Sequence, residues 1–157
     1  MRTIRICPGR LCALIVGIAM AAVSHPAHSA GEPEAENNRQ IVTQFAYTFY
    51  SQKDVKKAFT TWVAENYIQH NPGIADGRTA AIQALTPLFS SPHNQFAIEK
   101  ILVDGNLAAI HVRATDGVRK QTVSVVDMYR LDNGKIVEHW DVLQDVPRHS
   151  KNAHPMF

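Results

Sequence analysis

One carboxylate is set among residues that favour a buried β-strand. Asp127 lies within Val123–Tyr129, a segment too apolar for a strand that faces water. A carboxylate that faces a protein core is costly unless it is paired or protonated, and catalytic acids and bases occupy such environments. The alternative is that Asp127 points outward and pairs with Arg130 or with a lysine on a neighbouring strand. Asp127 is therefore the first candidate for acid–base chemistry.

The hairpin that follows Asp127 supplies its candidate partners. A two-residue Asn-Gly turn would place Asp127 opposite Trp140. A three-residue loop with a glycine bulge would instead place Asp127 opposite His139, with Asp141 diagonal to it on the same face. In that register His139 and Asp141 line a pocket, and the histidine could keep one aspartate ionised while the other stays protonated. Proton-transfer chemistry needs such a pair of acid and base.

His70 is the second candidate base. It stands directly before Asn71-Pro72, and a neutral imidazole there could abstract a proton next to a carbonyl group. Because Asn-Pro also begins many turns, His70 and Asn71 could instead serve only to cap the turn through backbone hydrogen bonds.

The other histidines give no metal-binding pattern. Strict alternation along Leu107–Arg113 places His111 with Arg113 on the face opposite the apolar residues, which favours a surface or interface position. No two histidines after residue 30 have the H-x-H or H-x₃-H spacing, whereas zinc sites usually include one close ligand pair. Motifs for a serine nucleophile, a phosphate-binding glycine loop or a dinucleotide are also absent from the sequence. The sequence therefore predicts no metal site and no cofactor.

The elements that must position these residues are helices first and strands second. Apolar residues at helical spacing predict a helix that is capped by Asn37 or Asn38 and extends to Tyr50, after a flexible acidic leader. Two further helices are predicted over 54–60 and about 77–89. Segments rich in Val, Ile and aromatic residues, separated by hairpin signals, predict strands at Phe96–Val103, Leu107–Ala114, Thr122–Leu131 and Lys135–Leu143. This order predicts an α+β fold with N-terminal helices packed on a curved antiparallel sheet, which forms a cone with one open end.

Two segments carry a resemblance to a known family. They are Val126–Asp141 (VDMYRLDNGKIVEHWD) and Tyr67–Arg78 (YIQHNPGIADGR), and the last six residues are similar to the tail of the same group. The group is the SnoaL-like polyketide cyclase family, within the nuclear-transport-factor-two-like (NTF2-like) superfamily. The resemblance implies one NTF2-like domain over residues 31–157. Because this superfamily contains cyclases, isomerases, epoxide hydrolases and non-enzymatic binders, it implies the fold more strongly than the reaction.

The resemblance also implies roles for individual residues. Asp127 matches the oxyanion-donor aspartate of ketosteroid isomerase and the general acid/base of SnoaL-type cyclases, and that isomerase favours the register with the glycine bulge. Asp141 matches a late-strand aspartate of limonene epoxide hydrolase. Ketosteroid isomerase has its catalytic carboxylate just before a proline, where this chain has Asn71. Since asparagine cannot take a proton at neutral pH, steroid isomerisation by that mechanism is not expected.

The first thirty residues have the pattern of a secretory signal peptide. Arg2, Arg5 and Arg10 precede the 13-residue apolar run Leu11–Val23, and small residues follow up to Ala30. The run is too short to span a hydrocarbon layer of about 30 Å. Residues 1–30 are therefore expected to be cleaved, which predicts a periplasmic or secreted protein, and an uncleaved anchor is the alternative.

Removal of residues 1–30 changes the charge and cysteine content of the chain. Both cysteines, Cys7 and Cys12, lie in this segment, so the remaining chain has neither a disulfide nor a thiol nucleophile. Three of the 16 Lys and Arg also lie there, which leaves 13 against 14 Asp and Glu, a net charge of −1. A chain this close to neutrality, without a basic stripe, does not favour a nucleic-acid partner. No membrane contact is expected after cleavage.

The sequence and the resemblance together predict a cofactor-independent acid–base enzyme for a small apolar carbonyl ligand. Asp127 would be the general acid/base or oxyanion donor, Asp141 and His139 would tune it, and His70 would be a second base. The reaction class would be aldol cyclisation, isomerisation or hydration. One alternative is a non-catalytic periplasmic binding protein that uses the same cone. Another is an interaction module, and the resemblance implies a homodimer through the outer sheet face around His111.

Overall fold

The helices lie on one side of the sheet. The computed structural model describes residues 32–157, so the predicted signal peptide lies outside the described residues. Helix α1 spans Glu32–Ala46 and continues as one π-helical turn, Tyr47–Ser51; α2 spans Val55–Trp62 and α3 spans Arg78–Ser90. No described helix is long and apolar enough to cross a membrane.

Helix α1 begins earlier than the capping pattern predicts. The predicted acidic leader is already helical from Glu32, and Asn38 is not a cap. Its side chain is 2% exposed, and Nδ2 donates a hydrogen bond to the carbonyl of Gly105 at 3.1 Å. Asn38 therefore ties α1 to a turn of the sheet. Helix α2 has the predicted cap, since the side chain of Asp54 accepts a hydrogen bond from the backbone N–H of Lys57 at 3.0 Å.

The sheet has five strands in the order β1-β5-β4-β3-β2. Their bounds are Val63–Gln69 (β1), Asn94–Asp104 (β2), Leu107–Asp116 (β3), Gln121–Asp132 (β4) and Lys135–Asp145 (β5). Strands β2 to β5 form the predicted antiparallel meander, which confirms the α+β fold class. Strand β1 adds to the edge in parallel to β5, so the sheet is mixed rather than purely antiparallel. This parallel pair places Gln69 beside His139.

The last hairpin has neither of the two registers that the sequence suggested. Asn133 and Gly134 both have positive φ (48° and 73°), as a two-residue type I′ turn requires. Pairing then shifts by one residue, because Arg130 pairs with Glu138 whereas Leu131 pairs with Ile136. The extra residue is a β-bulge on β5. Asp127 consequently lies opposite Asp141, with His139 diagonal to it on the same face.

The core lies between the helices and the inner face of the sheet. Phe49 stacks on Phe89 with centroids 4.2 Å apart, and Phe89 stacks on Phe96 at 4.0 Å. Phe45 and Phe59, both at most 1% exposed, fill the space between α1 and α2. Such aromatic pairs contribute about 0.5–1.5 kcal/mol each beyond their buried area. They form a rigid wall against which the polar groups of the inner face are held.

Candidate functional site

The inner face of the sheet and the helices enclose a cavity of about 400 Å³. Most of its surface is apolar, contributed by side chains of α3, β2, β3 and β4. Its buried end holds Asp127, His139 and Asp141, three of the four residues that the sequence singled out. Asp127 is 8% exposed and His139 is 6% exposed, so the prediction that Asp127 faces inward is confirmed.

A hydrogen-bonded chain connects β1, β5 and β4 at this end. Oε1 of Gln69 accepts the backbone N–H of Asn71 at 2.9 Å, which identifies this atom as the oxygen of the amide. Nδ1 of His139 lies 2.8 Å from the same oxygen, and an amide oxygen can only accept. Nδ1 of His139 therefore carries a proton. Nε2 of His139 lies 2.9 Å from Oδ1 of Asp127.

Counting donors and acceptors places one proton between Asp127 and His139. With Nδ1 protonated, a neutral imidazole has a bare Nε2, which cannot donate to a carboxylate. The 2.9 Å contact is a hydrogen bond only if a proton sits on Nε2 or on Oδ1 of Asp127. Either arrangement, imidazolium with carboxylate or neutral histidine with carboxylic acid, makes the pair neutral as a whole.

Two tyrosines complete the surroundings of Asp127. The hydroxyl of Tyr50 donates to Oδ2 of Asp127 at 2.7 Å, and the hydroxyl of Tyr129 lies 3.0 Å from that of Tyr50. Since the Tyr50 proton points to Asp127, Tyr129 is the donor in the second contact. Burial, followed by the nearby charge of Asp127, raises the pKa of both tyrosines well above the ordinary value. Both hydroxyls therefore remain protonated donors.

Asp141 is the carboxylate with a free oxygen. Its Oδ2 accepts a short hydrogen bond from Nδ2 of Asn71. Its Oδ1 accepts no hydrogen bond from the side chains and backbone described, and Asp141 lines the cavity. Asn71 thus holds the side chain of Asp141 in place from the loop that follows β1. Asp141 is the group at the buried end with room to accept a proton from a ligand.

His70 does not belong to this cluster. Its Nε2 lies 2.8 Å from Oε1 of Glu138, and its ring stacks on Trp140 with centroids 4.8 Å apart. Both partners are on the sheet face opposite Asp141, and His70 does not line the cavity. Asn71 lines the cavity and His70 does not, because successive residues of an extended chain point to opposite faces of the sheet. Hydrogen bonds from His70 and Arg130 hold the pKa of Glu138 below its ordinary value.

Replacement of His70 tests this placement directly. His70→Gln should change a cavity reaction by no more than about twofold, because it alters only a hydrogen bond to Glu138 and a stacking contact on the outer face. The measurement is the rate at which a ketone exchanges its α-protons in heavy water, for the variant and the wild type side by side. If the exchange rate fell by about 10²-fold, as expected for a catalytic residue of the cavity, His70 would have to take part in the reaction.

The same three cavity residues could also bind a metal ion by geometry. One ligand atom from each of Asp127, His139 and Asp141 lies within 4.8 Å of the other two. Sequence spacing missed this set because the cross-strand register, not a short motif, brings Asp127 to the other two. Oδ1 of Asp127 and Nε2 of His139 already share a hydrogen bond, so a metal ion would have to displace the proton between them. The predicted absence of a cofactor stays a prediction.

The residues that sequence analysis missed are the partners of the cluster. Tyr50 is the last residue of the first predicted helix, and nothing in the helical spacing indicates that its hydroxyl reaches Asp127. Tyr129 lies two residues after Asp127 and so on its face, which is the signal that could have identified it. Gln69 had no signal, since its position depends on the parallel strand pair.

An α+β cone with a buried cluster of two aspartates and a histidine defines the class of this protein, and comparisons place it in a family. The profile of the SnoaL-like domain matches residues 42–139. The chain belongs to the SnoaL-like domain family. A search of curated proteins found no match.

Solved structures agree with this family. An NTF2-like protein of unknown function from Mesorhizobium loti is 25% identical with a TM-score of 0.62, over 71% of this chain and 93% of its own. A candidate ketosteroid isomerase from Kribbella flavida is 17% identical with a TM-score of 0.61, over 76% of this chain and 86% of its own. A candidate SnoaL-like polyketide cyclase from Jannaschia sp. CCS1 is 21% identical with a TM-score of 0.56, over 71% and 88%. These structures confirm the NTF2-like fold.

Proposed function

We propose that this protein is a cofactor-independent acid–base enzyme that enolises a small, largely apolar carbonyl compound. Aldol cyclisation and isomerisation begin with such a proton transfer, and hydration of an unsaturated carbonyl compound passes through the same enol. The observation that carries the proposal is the hydrogen bond between Asp127 and His139, which requires one proton between them, beside Asp141 with its free oxygen. A buried acid next to a separate base is what the chemistry needs.

The proton transfers can be assigned to named atoms. Oδ1 of Asp141 accepts a proton from the carbon next to the carbonyl group. The electron pair of that C–H bond forms the enol double bond, and the carbonyl oxygen takes the proton shared by Asp127 and His139. The reverse steps restore both groups, so no net proton is consumed. Tyr50 stabilises the charge that Asp127 gains, because its hydroxyl already donates to Oδ2.

The lining of the cavity supports the proposed ligand class. A few polar groups converge at the buried end, and the rest of the wall is apolar, as in pockets that bind small organic molecules. Apolar walls also exclude water, which strengthens the interactions of Asp127 and Asp141 with a ligand.

The test is α-proton exchange in heavy water, followed by NMR. Protein without residues 1–30 is incubated with a panel of linear and cyclic ketones, once with a chelator and once with divalent cations. We expect exchange above the buffer rate for at least one ketone, unchanged by the chelator. Exchange that appears only with added cations would overturn the cofactor-independent mechanism.

A non-catalytic binding protein is the second candidate. Two observations favour it: both oxygens of Asp127 are already engaged in hydrogen bonds within the protein, and Asn71 stands where ketosteroid isomerase has a carboxylate. Such a protein would show saturation-transfer contacts with ketones in the same samples and no exchange at any pH tested.

Export is part of the proposal. The basic start, short apolar run and small residues of 1–30 support cleavage and a periplasmic or secreted location. Mass spectrometry of the protein from the periplasmic fraction should find an N-terminus close to residue 31. Protein that retains Met1 and is found in the membrane fraction would instead show that residues 1–30 stay attached as an anchor.

A homodimer through the outer sheet face also belongs to the proposal. His111 and Arg113 share that face, since Phe157 stacks on His111 and lies under the guanidinium of Arg113 at 4.2 Å. Val142, on the same face, is 65% exposed. Val142→Glu should shift the protein from dimer to monomer in sedimentation velocity, because a charge would be buried in the interface. Val118→Glu is the control and should leave the dimer intact, since Val118 is 70% exposed in a turn. Sedimentation of the wild type as a monomer would refute the interface.

A further inference from the structure

The cavity has polar groups at its two ends and an apolar middle. The residues of β4 that line it are, in order, Gln121, Val123, Val125, Asp127 and Tyr129. The first three are half-buried, whereas Asp127 and Tyr129 are buried. At about 3.3 Å per residue, the Cα atoms of Gln121 and Asp127 lie roughly 20 Å apart along the strand. A ligand that contacts both ends is therefore elongated.

Arg119 lies at the open end. It lines the cavity, its side chain is 79% exposed, and the exposed Leu88 and Leu143 form the rim with it. Arg119 is the one Lys or Arg among the described residues that line the cavity. A guanidinium group presents several donors in a planar fork that fits a carboxylate.

The donors of Arg119 are only loosely engaged. Nε lies 3.7 Å from Oδ2 of Asp116, too long for a hydrogen bond, and so exposed a pair contributes little. Oδ1 of Asp116 accepts the backbone N–H groups of Val118 and Arg119 at 2.9 and 3.0 Å. These hydrogen bonds, that of Arg119 above all, hold the pKa of Asp116 below its ordinary value. Asp116 also lines the cavity, but these two hydrogen bonds hold its Oδ1 in the turn, so the guanidinium of Arg119 can rotate away from it towards a ligand.

The other charges near the open end are committed elsewhere. Nζ of Lys53 donates to the carbonyls of Ser91 and Asn94. Asp145 accepts a hydrogen bond from Nε2 of Gln121 at 2.7 Å. At the buried end the free carboxylate oxygen of Asp141 would repel an anion. An anionic group on the ligand is therefore favoured at Arg119 and disfavoured at Asp141, which sets the direction in which the ligand enters.

We propose that the cavity binds an elongated carbonyl compound that carries a carboxylate, and that Arg119 recognises this carboxylate at the open end. The inference deepens the proposed function and rests on it for the carbonyl end. The apolar middle accommodates the hydrocarbon part, the carbonyl group reaches Asp127 and Asp141, and Arg119 discriminates an acid from a neutral analogue.

The test compares straight-chain methyl-ketone carboxylic acids of increasing length with the methyl ester of each, by isothermal titration calorimetry. The wild type should bind the best acid about tenfold more tightly than its ester, as one charge-assisted contact at a solvated rim would give. Arg119→Gln should remove this preference and leave the affinity for the ester unchanged. Lys120→Gln is the matched control, because Lys120 is adjacent and exposed, has the same charge and does not line the cavity.

Four results would overturn the proposal. They are equal binding of acid and ester by the wild type, no binding of either, a preference that survives Arg119→Gln, and an equal loss with Lys120→Gln. Binding is measured without turnover, so the outcome is separate from that of the exchange experiment. A preference for the acid that depends on Arg119, in a protein that exchanges no α-protons, would leave this site standing and remove the catalysis.

Discussion

Asp141→Asn should lower the rate of α-proton exchange by about 10²-fold or more, with the fold intact. General-base catalysis by a positioned carboxylate contributes about 10²–10⁴-fold, and an amide cannot take up the proton. The substitution keeps the size of the side chain and the contact with Asn71, so the cavity should keep its shape. The measurement is the NMR exchange rate of the best ketone, with thermal unfolding recorded for both proteins.

Asp127→Asn should cause a loss of similar size for a different reason. An amide at this position can still accept from Tyr50 and donate to Nε2 of His139, so the geometry is retained. It has no proton to transfer to a carbonyl oxygen, so the acid is lost while the base remains. Asp132→Asn is the matched control, because it makes the same change from carboxyl to amide at an exposed residue next to the hairpin turn. For Asp141→Asn, in contrast, an exchange rate within about threefold of that of the wild type would mean that another group is the base.

The last hairpin separates what the sequence could predict from what it could not. The Asn-Gly pair predicts a tight turn, and both residues have the positive φ that such a turn requires. The bulge at Val137 has no comparable signal. Without it, alternation would place Ile136 on one face with Glu138 and Trp140, and His139 with Asp141 on the other. The bulge brings Ile136, His139 and Asp141 to the same inner face, so that the apolar residue packs in the core beside the site.

Partners of the cluster that come from distant elements could not be predicted. Tyr50 lies in the π-helical turn, where an extra residue changes the direction in which the following side chains point. Helical spacing indicates its buried face but not the contact of its hydroxyl with Asp127, 77 residues away. Gln69 meets His139 only because β1 pairs in parallel with β5. A long-range parallel contact of this kind leaves no trace in local periodicity, whereas Asp127 stands out because its neighbours are apolar.

The role of Gln69 gives the last prediction, because this one amide determines which nitrogen of His139 is protonated. Gln69→Leu removes the acceptor of Nδ1–H, so the imidazole is free to adopt the tautomer with the proton on Nε2. Asp127 then no longer needs a proton of its own to bind His139, and the neutral pair loses its transferable proton. We expect exchange to fall by about 10²-fold, as for loss of a general acid.

A structural role alone would not move the ¹⁵N chemical shifts of the imidazole of His139, which report the protonation of each ring nitrogen. In the wild type Nδ1 should have the shift of a protonated nitrogen, and in Gln69→Leu it should not. Gln69→Glu supplies an acceptor again, since two carboxylate oxygens can take the Nδ1–H and the N–H of Asn71, and it should restore most of the Nδ1–H signal. A wild-type tautomer and rate in Gln69→Leu would show that the rings of Tyr67 and Tyr129, which pack on His139 with centroids 6.3 and 4.9 Å away, suffice to orient it. The proton would then be placed by Asp127 itself rather than by the parallel strand.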